Sequence, residues 1–201
     1  MDIIRLEPNQ IKKAAEVVAS AFFNYPMLTH YFPDPKRRKQ RLPWYMEKTL
    51  NCAMRYGEVF VPSDYSGVMF ILPPGHTRLT VGEYIKNGFL FVSLVMGFRN
   101  YSRSDECEKF VADTQERLMN GRDHYYLWGL VADPKIQRKG IGSALLRILT
   151  DKADAEICRS ILKPMIKIML LITSGLALNL YIRIRFQGMG LIFGVCSGNK
   201  E

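Results

Sequence analysis

The sequence predicts an α/β domain. Three observations carry this. Short apolar runs of strand character stand at 3–6, 58–61, 66–72 and 125–132. Between them lie longer stretches with apolar residues at helix spacing, and proline, glycine, asparagine and aspartate punctuate the junctions. At 201 residues, 48% hydrophobic and 23% charged, the chain has ordinary globular composition and enough length for one substantial core.

Ile3-Ile4-Arg5-Leu6 reads as a short strand. Pro8 suits a first helical position, and Ile11, Ala14, Ala15, Val18 and Phe22 follow on one helical face until Asn24-Tyr25-Pro26 ends it. Asp34-Pro35 supplies an N-cap followed by proline at N1, opening a helix that places Leu42, Met46, Leu50 and Ala53 together. The basic run Lys36-Arg37-Arg38-Lys39-Gln40-Arg41 within it has no interleaved aromatics and reads as a solvated face.

Residues 58–61 and 66–72 read as two strands separated by Pro62-Ser63-Asp64 and closed by Pro73-Pro74-Gly75. Thr80 and Glu83 have capping-box spacing before a long apolar helix over 84–96, closed by Gly97, with its Phe/Val/Met stripe expected in the core. A further helix is predicted over 105–119, with Cys107, Phe110, Val111, Thr114 and Leu118 inward and Asn120-Gly121 ending it.

The remaining elements are organised around 125–149. Tyr125 to Ala132 is an unbroken apolar run, expected to be a strand buried on both faces, and Asp133-Pro134 stops it. From Ile141, the positions Ala144, Leu145, Ile148 and Leu149 have helix spacing. Between them lies Gln137-Arg138-Lys139-Gly140-Ile141-Gly142. Glycines just before a helix permit positive φ and close approach of a ligand to the backbone. The first-turn N–H groups lack intrahelical partners, and the dipole makes that end positive. The stretch is therefore an anion cradle suited to a phosphate or pyrophosphate. It contains no G-x-x-x-x-G-K-[S/T] string, and Leu145 stands where a dinucleotide fingerprint needs its third glycine.

The string Leu130-x-x-Asp133-Pro134-x-x-Gln137-x-Lys139-Gly140-x-Gly142-x-x-Leu145-Leu146 resembles the acyl-CoA signature of the GNAT superfamily of N-acetyltransferases. The element order over about residues 1–156 resembles theirs as well. The resemblance implies a mixed central sheet with helices on both faces and acetyl-CoA as co-substrate, with no metal. It implies direct acetyl transfer to a primary amine in a ternary complex. Strand amides around Leu130, Val131 and Ala132 would hold the thioester carbonyl. Gln137, Arg138, Lys139, Gly140, Ile141, Gly142 and Ser143 would hold the pyrophosphate. The extra helices before the cradle strand resemble those of bacterial small-molecule acetyltransferases, so the expected acceptor is a small amine rather than a peptide. No residue is assigned as general base or acid, and homodimerisation is left open.

The net charge of +9 is unevenly spread. Residues 157–201 hold Arg159, Lys163, Lys167, Arg183, Arg185 and Lys200 against Glu201 alone, leaving 22 basic and 18 acidic residues upstream. That balance does not support nucleic-acid binding. His30, His76 and His124 have no metal-like or triad-like spacing and read as surface or turn residues. Cys52, Cys107, Cys158 and Cys196 show no metal spacing and read as reduced thiols. Asp2, Arg5 and Glu7 interrupt any early apolar run, so a secretory signal is not expected and the cytoplasm is.

Residues 157–201 depart from the family, making a second region after a 1–156 acetyltransferase domain. GNAT chains continue with a helix carrying N-x-x-x-Y-x-x-x-G-F, whose tyrosine often protonates the departing thiolate. That motif is absent here, and Tyr181 is not put in its place. The apolar run 165–182 approaches the roughly 20 residues a membrane span needs, but Lys167 and Asn179 interrupt it. A frameshift accounts for the tail better than a membrane span. Residues 162–179 admit a synonymous coding sequence that, read two bases later, gives ETYDKNNVAYYERFGFE, with the missing motif in register. Two main function classes follow: an N-acetyltransferase, or an acyl-CoA-binding domain impaired by its altered C-terminus. A membrane-tethered acyltransferase is a distant third.

Overall fold

The computed structural model of the protein describes residues 1–136 and 139–155, without the side chains of Phe110, Thr114, Leu118 and Asp154. The expectations for the tail at 157–201, including its apolar run, fall outside these residues.

Four strands form one sheet in chain order, each antiparallel to its neighbour: β1 (Ile3–Arg5), β2 (Glu58–Pro62), β3 (Gly67–Leu72) and β4 (Tyr126–Ala132). The parallel pairing that would make the sheet mixed needs a strand after residue 155, outside the described residues.

Helices cover both faces. α1 (Ile11–Ala21) and α3 (Pro35–Tyr56) pack on one side, α7 (Ile141–Ala155) on the other. Strand alternation divides the core accordingly: Val68 and Phe70 join the α1/α3 cluster, Met69 and Ile71 join that of α7. The local signals account for the helices on the first face. Ile11, Ala14, Ala15, Val18 and Phe22 are all buried, as are Leu42, Met46, Leu50 and Ala53. The Asp34 carboxylate accepts from the Lys36 and Arg37 N–H groups at 2.8 and 3.2 Å, which caps α3 ahead of Pro35.

Four expectations need correction. First, the segment after Thr80 is not one long helix. α4 (Val81–Lys86) ends at Asn87-Gly88, where Gly88 takes φ +94°, and a 3-10 turn over Phe89–Phe91 leads into α5 (Val92–Met96). Its apolar stripe is only partly core: Phe89 and Met96 are buried, whereas Leu90, Phe91 and Leu94 are exposed. Second, α6 (Phe98–Met119) begins one residue after α5, with Gly97 as its N-cap, and not at residue 105. Cys107 and Val111 on its expected inner face are half-buried. Third, Pro26–Tyr31 forms a further short helix, α2, between the two predicted ones. Fourth, Arg38 is buried within the basic run: its guanidinium donates to the Phe32 carbonyl oxygen at 2.7 Å and lies 4.6 Å from the centre of the Phe23 ring.

Candidate functional site

β4 ends at Ala132 because Asp133 turns its polar groups back on the chain. The Asp133 N–H donates to the Ser66 carbonyl oxygen at 2.9 Å. Its carboxylate accepts from the Lys135 N–H at 2.9 Å, and its carbonyl accepts from the Ile136 N–H at 3.0 Å. These bonds shape a 3-10 turn, Pro134–Ile136, that leads toward α7.

α7 is seated on the sheet by Ile141, Leu145 and Leu149, all buried. Gly67 makes that seat close. A Cβ there would lie 2.7 Å from Ile141 Cγ2 and 3.3 Å from Leu145 Cδ1, so any side chain on β3 at this point would lift the start of α7. Gly140 takes φ +74°, and its carbonyl accepts the first helical rung from the Ala144 N–H at 2.9 Å. The N–H groups of Ile141, Gly142 and Ser143 therefore precede the helix's own ladder. Among the described residues, a Cβ built on Gly140 meets nothing within 4 Å, so they leave the outer side of the cradle open. Lys139, Gly140 and Ser143 are exposed, and Gly142 is half-buried. Gln137 and Arg138 lie outside the described residues.

The strand half of the site is narrower than the sequence suggests. β4 is not buried on both faces: Val131 is buried, while Leu130 and Ala132 are half-buried. Antiparallel amides alternate in direction. With Asp133 bonded to Ser66, the Val131 N–H is turned to β3, and those of Leu130 and Ala132 face the opposite edge. Only the latter pair suits a thioester oxygen at that edge.

Sequence reasoning missed a bulge in the same strand. Gly129 pairs with Phe70 and Leu127 with Ile71, leaving Trp128 without an opposite residue. Trp128 packs toward α3, while Leu127 and Leu130 pack toward α7. From Trp128 a wall of rings runs away from β4. Centroid distances are 6.4 Å to Tyr84, 5.4 Å from Tyr84 to Phe89, 5.6 Å from Phe89 to Tyr45 and 6.4 Å from Tyr45 to Tyr31. At its far end the Tyr31 hydroxyl donates to Glu108 Oε1 at 3.1 Å.

Burial raises the Glu108 carboxyl above its ordinary range, partly offset by the Tyr31 hydrogen bond. Burial also raises the phenols of Tyr31, Tyr45, Tyr84 and Tyr126, with the Glu108 charge next in each case. A signal for Glu108 existed. Helix phase puts it between Ser104 and Val111, beside Cys107, on the inner face of α6.

Residues 87–164, a span that includes the cradle, match the model of the Acetyltransferase (GNAT) family. Among solved structures, the chain is similar to a histone acetyltransferase HPA2 and related acetyltransferase from Corynebacterium glutamicum. The likeness is 17% in identity, covers 75% of this chain and 70% of that one, and has a TM-score of 0.50. At that identity it speaks for the fold, which is α/β of GNAT type. No curated protein matches the chain. Acetyl transfer is the chemistry of the GNAT family, and acetyl-CoA is the co-substrate its members typically use.

His30 is exposed, and His76 stacks on Tyr56 with its Nε2 3.0 Å from a Glu83 oxygen. His124 is buried, contrary to expectation, because Gln115 Nε2 and the Arg122 carbonyl oxygen take both ring nitrogens at 2.8 Å. Cys52 and Cys107 are free thiols, and burial pushes that of Cys52 up to about 12, far from a thiolate at neutral pH. Among the described residues, no group of His, Cys, Asp and Glu is placed to hold a metal ion, and no helix is long and apolar enough to cross a membrane.

Proposed function

We propose that the protein transfers an acetyl group from acetyl-CoA to the primary amine of a small molecule. The observation that carries this is the open cradle: a positive-φ glycine with free space on its outer side, at the start of a helix seated against β4. The fit to CoA rests on chemistry as well as shape. A pyrophosphate needs several N–H donors and close backbone approach. The first turn at Ile141, Gly142 and Ser143 offers donors, and Gly140 offers the approach, with Lys139 adding an exposed cation. Gln137 and Arg138 complete the proposed set from the sequence motif.

In this reading acetyl-CoA supplies the thioester, and the chain orients it. The Leu130 and Ala132 amides lie on the β4 edge where an oxyanion donor is needed, and would stabilise the charge that develops on the carbonyl oxygen. The ring wall from Trp128 provides an apolar side for the acceptor. A small molecule in the cytoplasm fits these features better than a peptide, since the wall runs inward to Glu108.

The test is thiol release from acetyl-CoA by the full chain, with 2-phenylethylamine, hexylamine and a lysine-containing peptide as acceptors. Amine-dependent release, faster with the small amines, is the expected result. Release with the peptide alone would overturn the acceptor class. One observation favours a second reading, an impaired acyl-CoA-binding domain over residues 1–156: the N-x-x-x-Y-x-x-x-G-F motif is missing. CoA binding without release in any arm would select it.

A further inference from the structure

The stretch from α4 to the start of α6 turns large apolar side chains toward water. Leu90, Phe91, Leu94 and Phe98 are 57, 59, 62 and 72% exposed, and Val81 and Ile85 on α4 are exposed as well. The pieces that carry them adjoin: α4 packs on the 3-10 turn, the turn on α5, and α5 on α6. Phe89 and Met96 are buried in the core and hold the stretch to it. Single exposed apolar residues are ordinary, but a run of large ones marks an interaction surface.

Charge selects what can cover it. Residues 84–104 contain Lys86, Arg99 and Arg103 and no Asp or Glu. Lys86 and Arg99 are exposed, and among the described residues none of the three forms an ion pair. Lys48, near Gly88, is already paired with Glu47 at 3.0 Å. A second copy seated here by two-fold symmetry would bring the same cations against themselves, at an electrostatic cost. The chain's own residues 157–201 carry six basic residues against one acidic, so their sign is also wrong. The complementary occupant is anionic and apolar at once. A leaflet containing anionic lipids is both, with phosphates for the cations and acyl chains for the projecting Leu and Phe side chains. Helical pieces with Leu and Phe outward and Lys and Arg beside them have the pattern of segments that lie in a membrane interface.

We infer that the exposed side of residues 81–101 seats the protein on an anionic lipid surface. Leu90, Phe91, Leu94 and Phe98 enter the headgroup region, and Lys86, Arg99 and Arg103 bind the lipid phosphates. The contact is peripheral and needs no spanning helix. It concerns where the chain sits and does not depend on the acetyl-transfer reading.

Cosedimentation of the full chain with vesicles tests this, using phosphatidylserine and phosphatidylcholine in equal parts against phosphatidylcholine alone. The wild type should bind the anionic vesicles more strongly by about tenfold or more, and rising salt should weaken that binding. Phe91→Ser with Phe98→Ser should weaken it by about tenfold or more, with the melting temperature unchanged because both side chains are exposed. Lys86→Glu with Arg99→Glu should remove the preference for anionic lipid. Lys12→Glu with Lys135→Glu, the same charge change at exposed positions on α1 and just beyond β4, should weaken binding only a few-fold. Equal losses in the two charge variants, or binding that survives the Phe91 and Phe98 changes, would place the contact elsewhere and overturn the inference. No binding of the wild type to either vesicle would overturn it too, and would turn the search to an acidic protein. Sedimentation velocity without vesicles should show no self-association through this face. A dimer that Phe91→Ser with Phe98→Ser dissolves would assign the face to a second copy instead.

Discussion

The Asp133 N–H and the Ser66 carbonyl oxygen meet at 2.9 Å, and this one bond sets the direction of every amide at the end of β4. It turns the Val131 N–H into the sheet and leaves those of Leu130 and Ala132 on the outer edge. The strand stop Asp133-Pro134 is thus part of the proposed oxyanion device.

Two alanine substitutions separate fold from ligand. At Gly142, among the described residues, a Cβ would meet only Leu130 Cδ2, at 3.9 Å. Gly142→Ala should leave the melting temperature unchanged or slightly raised, since alanine favours the helix by up to about 1 kcal/mol. It should nevertheless weaken CoA binding. Gly67→Ala should cost about 1–3 kcal/mol by overpacking, because the new methyl collides with Ile141 and with the Val131 carbonyl oxygen, each at 2.7 Å. Melts and CoA titrations on both variants check this. Equal loss of stability in the two would contradict it.

Lys139 is exposed, so its contribution to phosphate binding is that of a screened point charge. Lys139→Ala should weaken CoA binding less than a change at Gly140, and the deficit should shrink as salt rises. A salt-independent deficit would assign Lys139 a structural role.

Glu108 should also leave a mark on stability. Its folded pKa lies above the ordinary 4.5 through burial, while in the unfolded chain it titrates near that value. Between the two the folded state holds more protons, so this group's contribution falls as pH rises through the window. Glu108→Gln lacks it. The phenols of Tyr31, Tyr45, Tyr84 and Tyr126 face the carboxyl but are themselves raised, so they stay neutral throughout. The variant should therefore gain melting temperature relative to wild type as pH rises above the ordinary carboxyl value of 4.5. A difference that does not change with pH would contradict this.

The tail makes a prediction at the level of DNA. If a frameshift lies near codon 157, the coding sequence read two bases later should encode the N-x-x-x-Y-x-x-x-G-F helix, with its tyrosine across the codons of Ile172 and Thr173. Restoring that frame should raise acetyl transfer. A gene that does not encode the motif in the shifted frame, or a restored chain no faster than the present one, would dismiss the account.

What the sequence disclosed was local. Asp34-Pro35, the Thr80/Glu83 box and the one-sided spacing of α1 act within a few residues, and each forms as expected. The cradle was legible because a positive-φ glycine before a helix is also a local device. What escaped depends on distant parts of the chain. Arg38 looked like one more surface charge until Phe32 and Phe23 closed around it. The stretch 84–96 has a helix's apolar content, but Asn87-Gly88 breaks it and turns Leu90, Phe91 and Leu94 outward. Glu108 sat in helix phase with Cys107 and Val111, yet its meaning came only with Tyr31, from a helix 77 residues away.

The central claim is that CoA binds through the cradle, and calorimetry with CoA on wild type and Gly140→Asp tests it most directly. Gly140 takes φ +74°, which aspartate tolerates better than most residues, and among the described residues nothing lies within 4 Å of the added Cβ. A melt of the variant separates strain at this φ from loss of the ligand contact. Wild type should bind CoA, and the variant should bind about 10–150-fold more weakly, the equivalent of one charge-assisted phosphate contact. Equal affinity in the two proteins, or no binding by the wild type, would contradict it.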